Sequence, residues 1–259
     1  MAIELGSGLS GRDHYDGLFR AGLDEEAELS KRSAVDRANS VQILLQESGI
    51  NSATRLVELG AGTGSVISEC RNRGVASSFT AVEYSSSAVD YLRRNTIGID
   101  VIQADITAAD FQMEGSIDIL LISHVVEHLE DPHAFLAAAR SKLDFSYAVI
   151  EVPLEDLPLS RLKALVKDRT KNLAGHVQFY TRKTFEDLLT SCDLEVVRSR
   201  TYFPIQTPDD LRLTFKKDQM PAWRYPLLWM TRRLIPQMVP DTWSRLYHAN
   251  CAALCRKSR

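Results

Sequence analysis

Short apolar runs alternate with amphipathic stretches along the middle of the chain, and this alternation constrains the fold more than any other feature. Three such pairs are "TRLVEL" with "SVISECRNRG", "FTAVEY" with "SSAVDYLRRN", and "IDILLI" with "DPHAFLAAARSKL". Strands that alternate with helices at this spacing form βαβ units around a parallel sheet. The sequence therefore predicts an α/β fold with helices on both faces of a mostly parallel sheet.

The flanking segments extend this pattern in both directions. Residues 13–49 carry apolar positions at helical spacing and predict two helices before the first strand. "SYAVIEV", "LEVVRSRTYF" and "RLYHANCAALCRK" predict later strands, and "TRKTFEDLLTSC" predicts a helix. Residues 153–175 interrupt the alternation and are expected to join a cap. We expect a single domain over 1–259, made of an N-terminal helical segment at 1–52, a cofactor-binding core at 53–203, a cap insertion at 204–243 and a last strand at 244–259.

Composition excludes several classes of protein. The hydrophobic content of 44% is ordinary for a globular chain. No apolar run approaches the roughly 20 residues needed to cross a bilayer, and the N-terminus lacks the cationic and apolar regions of a secretion signal. The four cysteines form no CxxC pair. These features predict a cytoplasmic protein with free thiols.

Three glycines at alternate positions follow the first predicted strand. Gly60, Gly62 and Gly64 lie within "LVELGAGTGSVI", where the chain passes from strand to helix. Glycine there predicts a tight turn that lets the backbone approach a ligand closely. A dinucleotide-binding GxGxxG would need its third glycine at position 65, which is Ser65. The spacing therefore does not favour a cradle for a pyrophosphate, and no GxxxxGK[ST] loop is present.

Acidic residues stand near the ends of three successive predicted strands. Glu58 precedes the glycine turn, Glu83 ends the second strand and Asp105 follows the third. In an open α/β sheet the ligand crevice lies at the carboxyl ends of the strands. A ligand with a cationic end and a ribose, but no pyrophosphate, would suit these three carboxylates. Glu58 would face an ammonium group, Glu83 the two ribose hydroxyls and Asp105 an exocyclic amine of adenine.

Five motifs in this order resemble the class I S-adenosylmethionine-dependent methyltransferases, in particular their small-molecule, type 11/23-like subgroup. They are "VELGAGTG", "VEYSSSAVDYLRRN", "QADI", "SHVVEHLEDP" and "GHVQFYTRKTFEDLL", and the resemblance covers roughly residues 40–203. It implies a Rossmann-like methyltransferase fold with a seven-stranded sheet. It also implies S-adenosyl-L-methionine as cofactor, with S-adenosyl-L-homocysteine as product. The residues expected at the cofactor are Glu58, Gly60, Ala61, Gly62, Gly64, Glu83, Tyr84, Ala104, Asp105 and Ser123.

Methyl transfer needs few strictly catalytic residues, because the sulfonium already carries a good leaving group. The protein has to align the reactants and, for some acceptors, remove a proton. Histidine titrates near neutrality and suits that role. His124, after the fourth strand, and His176, in "GHVQFY", are the two candidate bases.

A divalent metal is a less favoured possibility. His124, Glu127 and His128 spell HxxEH, and on a helix such positions share one face. Some methyltransferases that act on quinone precursors or on RNA 3′ ends hold a metal with a similar E-x-x-E-H run, and the RNA enzymes add a later histidine. His176 would supply that histidine here, but the first acid of the run is replaced by His124. The sequence therefore predicts no metal ligands, although a divalent ion remains open.

The C-terminal part of the chain is basic and aromatic. Residues 211–259 carry ten Lys/Arg against two acids, a net charge of +8, and all three tryptophans. Such a segment suits a cap over the acceptor, an oligomer contact or a peripheral contact with anionic lipid. The prolines at 221, 226, 236 and 240 argue against one long helix. No nucleic-acid-binding module accompanies the charge, so nucleic acid is not an expected partner.

The predicted function is transfer of a methyl group from S-adenosyl-L-methionine to an oxygen or nitrogen atom of a small metabolite. An aromatic, lipid-like or anionic acceptor would suit the cap. Two alternatives stay open: a nicotinamide-dependent oxidoreductase, and a non-catalytic S-adenosylmethionine-binding or membrane-associated module. Fold and cofactor site rest on shared strand ends, whereas acceptor choice rests on the cap, so the acceptor and the oligomeric state are not predicted.

Overall fold

The fold is built around a central sheet. The computed structural model describes residues 11–108, 110–164, 175–204, 206–217, 221–247 and 249–258. Within these residues the sheet has seven strands in the order β3-β2-β1-β4-β5-β7-β6. β7 is antiparallel to β5 and β6, so the other six strands all run in one direction. The predicted seven-stranded, mostly parallel sheet is therefore confirmed. The strands are β1 Arg55–Leu59, β2 Ser78–Glu83, β3 Asp100–Gln103, β4 Ile117–Ser123, β5 Phe145–Leu154, β6 Leu194–Tyr202 and β7 Ala249–Lys257.

Helices connect the strands, and local sequence signals set their ends. α4 begins at Pro132, and the Asp131 side chain accepts a hydrogen bond from the backbone N–H of Ala134 at 2.8 Å. A 3₁₀ turn spans Val126–His128, and a π-helical turn, Met230–Leu234, joins α8 to α9. The helices are α1 Gly11–Glu47, α2 Ser65–Asn72, α3 Ser86–Asn95, α4 Pro132–Lys142, α5 Pro158–Ala164, α6 Arg182–Ser191, α7 Pro208–Lys217, α8 Arg224–Trp229, α9 Ile235–Met238 and α10 Pro240–Leu246.

The N-terminal segment differs from the prediction of two helices. α1 runs without interruption over 37 residues, from Gly11 to Glu47. Two glycines, Gly17 and Gly22, lie inside it. A glycine costs a helix only about 1 kcal/mol, whereas a proline would break it, and α1 contains no proline.

The last strand also begins later than the sequence predicted. Residues 240–246, which overlap the start of the expected strand segment 244–259, form α10, and β7 starts at Ala249. Pro240 occupies the first turn of α10, where its fixed φ favours a helix. The predicted insertion at 204–243 holds α7 to α9 and the start of α10. The other insertion, at 153–175, begins with the last two residues of β5 and contains α5, while residues 165–174 lie outside the described part.

The sheet separates two apolar cores, and side chains of β1 alternate between them. Val57 and Leu59 belong to the core that also holds Ile122 and Phe185. Leu56 belongs to the other core, together with residues of α1 such as Leu44. This two-sided burial is characteristic of a parallel sheet covered by helices on both faces. Within the described residues, every helix falls short of the length and apolar character that a membrane crossing requires.

Candidate cofactor and acceptor site

The glycine stretch forms the tight turn that the sequence predicted. Gly60, Gly62 and Gly64 have φ values of 69°, 54° and 72°, in the left-handed region that side chains disfavour. The N–H of Gly60 donates to the carbonyl of Val82 at 2.9 Å, which ties the turn to the end of β2. A Cβ atom on Gly60 would lie 2.7 Å from Cγ2 of Val125. Glycine at position 60 is therefore required both by the backbone conformation and by the close packing of Val125.

Glu83 ties the end of β2 to this turn. Its Oε2 accepts a hydrogen bond from the backbone N–H of Gly62 at 2.8 Å. Its Oε1 accepts from the backbone N–H groups of Tyr84 and Ser85, both at 2.9 Å. These bonds hold a buried carboxylate in one orientation beside the glycines.

The end of β3 supplies the next polar group. Oδ1 of Asp105 accepts hydrogen bonds from the backbone N–H of Thr107 at 2.9 Å and from its hydroxyl at 2.7 Å. The N–H of Ala104 donates to the carbonyl of Glu83 at 3.0 Å, so the ends of β2 and β3 are locked together. Such local bonds to an aspartate fix the direction of its side chain.

These groups border one cavity at the carboxyl edge of the sheet. Its volume is about 530 Å³, within the range of about 300–1,000 Å³ typical of small-molecule sites. Of the predicted site residues, those that line it are Gly60, Gly62, Glu83, Tyr84, Ala104, Asp105 and His124. Its wall also includes Leu59, Val82, Ile106, Thr107, Val125, His128, Leu129, Glu130, Asp131, Ala134 and Phe135.

The other predicted site residues do not line this cavity. Glu58 is buried below the glycine turn, where its Oε2 accepts a hydrogen bond from the N–H of Ile67 at 3.1 Å. Burial raises the pKa of Glu58 to about 8. Gly64 caps the start of α2, next to Ala61 within the turn. Ser123 ends β4 as a buried side chain. His176 lies behind His128, with the two ring centroids 4.8 Å apart.

His124 occupies an uncommon position at the end of β4. Its φ is 55°, and its N–H donates to the carbonyl of Glu151 at 2.9 Å. Its ring then lies between two buried carboxylates: Nδ1 is 3.1 Å from Oε1 of Glu127, and Nε2 is 3.2 Å from Oε1 of Glu151. Burial and the positive charge of Arg37 lower the pKa of His124, but the two carboxylates outweigh them and raise it overall.

Glu151 is the residue that the sequence reasoning missed. It is buried within β5, where it pairs in register with Ser123 of β4. Its Oε1 also accepts a hydrogen bond from the hydroxyl of Tyr202 at 2.9 Å, and the amide of Asn250 donates to that hydroxyl at 3.3 Å. A single acid inside the apolar run "YAVIEVPL" was the signal for it, because a buried carboxylate needs partners.

Glu127 belongs to a second group with His128 and His176. One ligand atom from each of these three side chains lies within 4.8 Å of the other two. Glu127 is fully buried, and neither of its carboxylate oxygens accepts a well-directed hydrogen bond in the described structure. Burial opposes ionisation of Glu127, yet the charge of His124 lowers the pKa of this carboxyl to about 2. Burial also lowers the pKa of His128 to about 4, so its ring is neutral near pH 7.

Hydrogen-bond acceptors lie beside one nitrogen of each ring in this group. Nδ1 of His128 is 3.2 Å from the carbonyl oxygen of Gly175, and Nδ1 of His176 is 2.6 Å from Oε2 of Glu155. These oxygens favour the tautomers that carry the proton on Nδ1. In the neutral ring the lone pair then lies on Nε2, an arrangement found in metal-binding histidines.

Comparison with known proteins identifies the fold. The family model described as "Methyltransferase domain" matches residues 24–199, more than half of the chain. No curated protein matches the sequence. Among solved structures, magnesium protoporphyrin IX methyltransferase (ChlM) from Synechocystis PCC 6803, with bound SAH, has a TM-score of 0.59 at 13% identity and covers 95% of this chain and 98% of its own.

Two further structures have the same architecture. A SAM-dependent methyltransferase from Archaeoglobus fulgidus has a TM-score of 0.51 at 18% identity, with 85% of this chain and 94% of that chain covered. The [4+2]-cyclase SpnF has a TM-score of 0.56 at 13% identity, with 85% and 81% covered. These likenesses establish the fold alone, whereas the family match over most of the core identifies the activity. The chain thus belongs to the methyltransferase-domain family, as a class I S-adenosylmethionine-dependent methyltransferase.

Proposed function

We propose that this methyltransferase transfers a methyl group to an oxygen or nitrogen atom of a small metabolite bound at the carboxyl edge of the sheet. One observation carries the proposal: the glycine turn, Glu83, Asp105 and His124 border a single cavity of about 530 Å³. The match to a methyltransferase domain weighs against the nicotinamide-dependent oxidoreductase that the sequence left open.

In this proposal the cofactor lies along the ends of β1, β2 and β3. S-adenosyl-L-methionine, when bound, supplies an activated methyl group on a sulfonium. Gly60 and Gly62, which shape the tight turn and line the cavity, admit its methionine part. Glu83 accepts the ribose hydroxyls, Tyr84 lies along the purine face, and Ala104 with Asp105 contacts the adenine amine. Four further residues do not contact the cofactor but support the glycine turn and the end of β4. They are Glu58, Ala61, Gly64 and Ser123.

We propose that His124 is the base that removes a proton from the methyl acceptor. This ring borders the cavity, and the nearby carboxylates of Glu127 and Glu151 stabilise the cation that forms when the ring takes up a proton. The raised pKa of His124 makes it a stronger base but leaves less of the unprotonated form near neutral pH. His176, the second candidate, acts through its contact with His128. The described parts of the segments 153–175 and 204–243 form the cap on the acceptor side within a single domain.

Calorimetric titration with S-adenosyl-L-homocysteine tests the cofactor site. We expect binding to the wild type and no response to NADH. Removing one charge-assisted hydrogen bond costs about 1.5–3 kcal/mol, so Glu83→Ala and Asp105→Ala should each weaken binding about ten- to a hundredfold. Asp110→Ala, an exposed acid close to Asp105 in sequence, is the matched control and should bind like the wild type.

The titration also separates the alternatives. Unchanged affinity in both site variants would contradict the arrangement of the cofactor given above. A response to NADH instead would favour an oxidoreductase. Tight binding of S-adenosyl-L-homocysteine without methyl transfer to any acceptor in a broad screen would favour the non-catalytic module.

A divalent ion fits the group of Glu127, His128 and His176, and we propose this group as its position. The buried carboxylate of Glu127 lacks a directed hydrogen bond, and two imidazoles with a carboxylate suit Zn²⁺ or Mn²⁺ better than Mg²⁺. His124 is not a member, because the ligand atoms that converge within 4.8 Å belong to Glu127, His128 and His176. This set replaces the HxxEH set considered from the sequence.

Titration of the metal-free protein with Zn²⁺ tests this position. We expect one ion to bind to the wild type, and Glu127→Gln to weaken binding at least about tenfold, because the amide keeps the size but loses the charge. His133→Gln, at a histidine on α4 away from the group, should leave the affinity unchanged. Equal affinities in wild type and Glu127→Gln would contradict the assignment.

A further inference from the structure

The outer face of one surface helix is apolar. α8, the π-helical turn and α9 follow one another without a break from Arg224 to Met238. Five large apolar side chains spaced three or four residues apart lie on its outer side, and we call them the outer stripe. They are Trp223, Leu227, Met230, Leu234 and Met238, and their exposed fractions run from 39% for Leu234 to 72% for Met238.

The side of this helix that faces the protein is held by few apolar groups. Leu228 and Pro236 are buried, and the ring of Tyr225 lies 5.3 Å from that of Phe215 on α7. Arg233 donates a hydrogen bond to the carbonyl of Gln206 at 3.0 Å. This inner side therefore combines buried apolar groups with an arginine contact, while Trp, Leu and Met side chains are exposed on the outer side.

Exposed apolar side chains are concentrated in this region. Fifteen large apolar residues are exposed in the described chain, and eight of them lie between residues 223 and 246. α5, which contacts α10, exposes two more, Leu159 and Leu162. Scattered exposed residues need no explanation, but a cluster of this kind indicates a surface that binds something apolar.

The charges within the helix that carries the outer stripe are all positive, and the next acid along the chain is Asp241 at the start of α10. The sequence from Pro221 to Pro240 contains three arginines and no acid. Arg224 is exposed, and its guanidinium lies 5.1 Å from the ring centre of Trp223. Arginine beside tryptophan at the border of an apolar face is typical of helices that lie in the headgroup region of a bilayer.

The outer stripe is attached at the same sheet edge as the cavity. β6 ends at Tyr202 and β7 begins at Ala249, and both pair near Asn250 at the carboxyl end of the parallel strands. The segment between them carries the helix.

We propose that the outer stripe docks on an anionic lipid bilayer and holds the protein at the membrane surface. The Trp, Leu and Met side chains enter the headgroup boundary, and the exposed Arg224 contacts lipid phosphates and other anionic headgroups. A second copy of this chain fits the face less well, because a two-fold contact would bring surfaces of the same positive charge together. The proposal does not depend on the acceptor or on methyl transfer.

Cosedimentation with vesicles tests the proposal directly. The probes are vesicles of phosphatidylcholine alone and of phosphatidylcholine mixed with phosphatidylglycerol. We expect the wild type to sediment with the mixed vesicles and much less with phosphatidylcholine. The triple variant Leu227→Gln/Met230→Gln/Leu234→Gln should lower the bound fraction at least about tenfold, and Arg224→Glu should reduce the preference for the anionic vesicles.

A matched control separates this face from exposed apolar residues in general. Ile97, in the loop between α3 and β3, is 78% exposed, and Ile97→Gln should bind vesicles like the wild type. Circular dichroism and melting temperature check that each variant folds. Absence of wild-type binding to the mixed vesicles, or equal binding of a folded triple variant, would overturn the proposal. Light scattering that shows a dimer in the wild type and a monomer in the triple variant, without vesicle binding, would assign the face to a second copy.

Discussion

Ionisable side chains are buried around the site, and each is kept there by a particular partner. Glu58 accepts a backbone hydrogen bond at the start of α2, and Glu151 contacts His124 and Tyr202. Burial and the adjacent Glu151 raise the pKa of Tyr202, so this phenol stays protonated and donates to the carboxylate. An isolated buried charge would be costly, so these contacts fix where the side chains point.

Glu58 gives the fold a definite pH dependence. Its pKa is raised to about 8 in the native state, whereas an unfolded glutamate has a pKa near 4.5. The native protein therefore binds more protons than the unfolded chain between about pH 5 and pH 8, and its stability falls as pH rises through this window. In Glu58→Gln this loss should disappear. The free energy of unfolding of the variant relative to the wild type should rise by up to about 1.4 kcal/mol per pH unit.

Urea unfolding of both proteins at several pH values between 5 and 8.5 measures this difference. Glu114→Gln, an exposed glutamate in the loop before β4, is the control and should follow the wild-type curve. Curves for Glu58→Gln and the wild type that stay parallel over the whole range would rule out the raised pKa of Glu58.

The turn between β1 and α2 depends on glycine for two separate reasons. Gly64 has a φ of 72°, and a Cβ there would also collide with the side chain of Leu92 on α3. Gly74, just after α2, has a similar φ of 65° but no atom within 4 Å of a built Cβ. The two positions therefore separate the cost of the backbone conformation from the cost of the contact.

Gly64→Ala should destabilise the protein by about 2–4 kcal/mol, and Gly74→Ala by about 1–2 kcal/mol. Both variants carry the left-handed strain, but only the first adds overpacking against Leu92. Chemical denaturation measures both values. In the Leu92→Ala background, Gly64→Ala should lower the free energy of unfolding by less than it does in the wild type, because the contact with Leu92 is gone. Equal losses at the two glycines would show that the space beside Gly64 can adjust.

Strands and the glycine turn were predictable because their signals are local in sequence. The predicted "SSAVDYLRRN" helix coincides with α3, and Gly60, Gly62 and Gly64 form the predicted tight turn. The contact between His124 and Glu151 was not predictable, because it requires the register of β4 against β5 and a left-handed residue at the strand end. The single long α1 was predicted as two helices, although its sequence contains no proline that would end a helix.

At the scale of the whole molecule, all four cysteines lie in the cores or against them. Cys70, Cys192, Cys251 and Cys255 are free and buried. Burial raises the pKa of Cys251 to about 11 and raises the pKa values of Cys70 and Cys255 further. The predicted free thiols are therefore confirmed, and their environment makes them poor nucleophiles.

The native protein should react with a thiol reagent such as DTNB only as fast as it unfolds. Four thiols per chain should appear in urea, and almost none in buffer at neutral pH. The rate of thiol modification, measured at several DTNB concentrations, tests this. A rate that is set by unfolding becomes independent of the DTNB concentration. A rapid first thiol in the native state would contradict the burial of at least one cysteine.

The inserted position of β7 governs the order in which this chain can assemble during synthesis. β6 pairs only with β7 among the described strands, and β7 also covers the edge of β5. A ribosome makes β6 before the cap helices and β7 after them. Until residues 249–257 emerge, the nascent chain therefore exposes a strand without a neighbour and an open sheet edge. Such edges bind other strands. Chaperones that shield nascent chains would thus be needed until β7 has been made, because β6 and the edge of β5 stay uncovered until then.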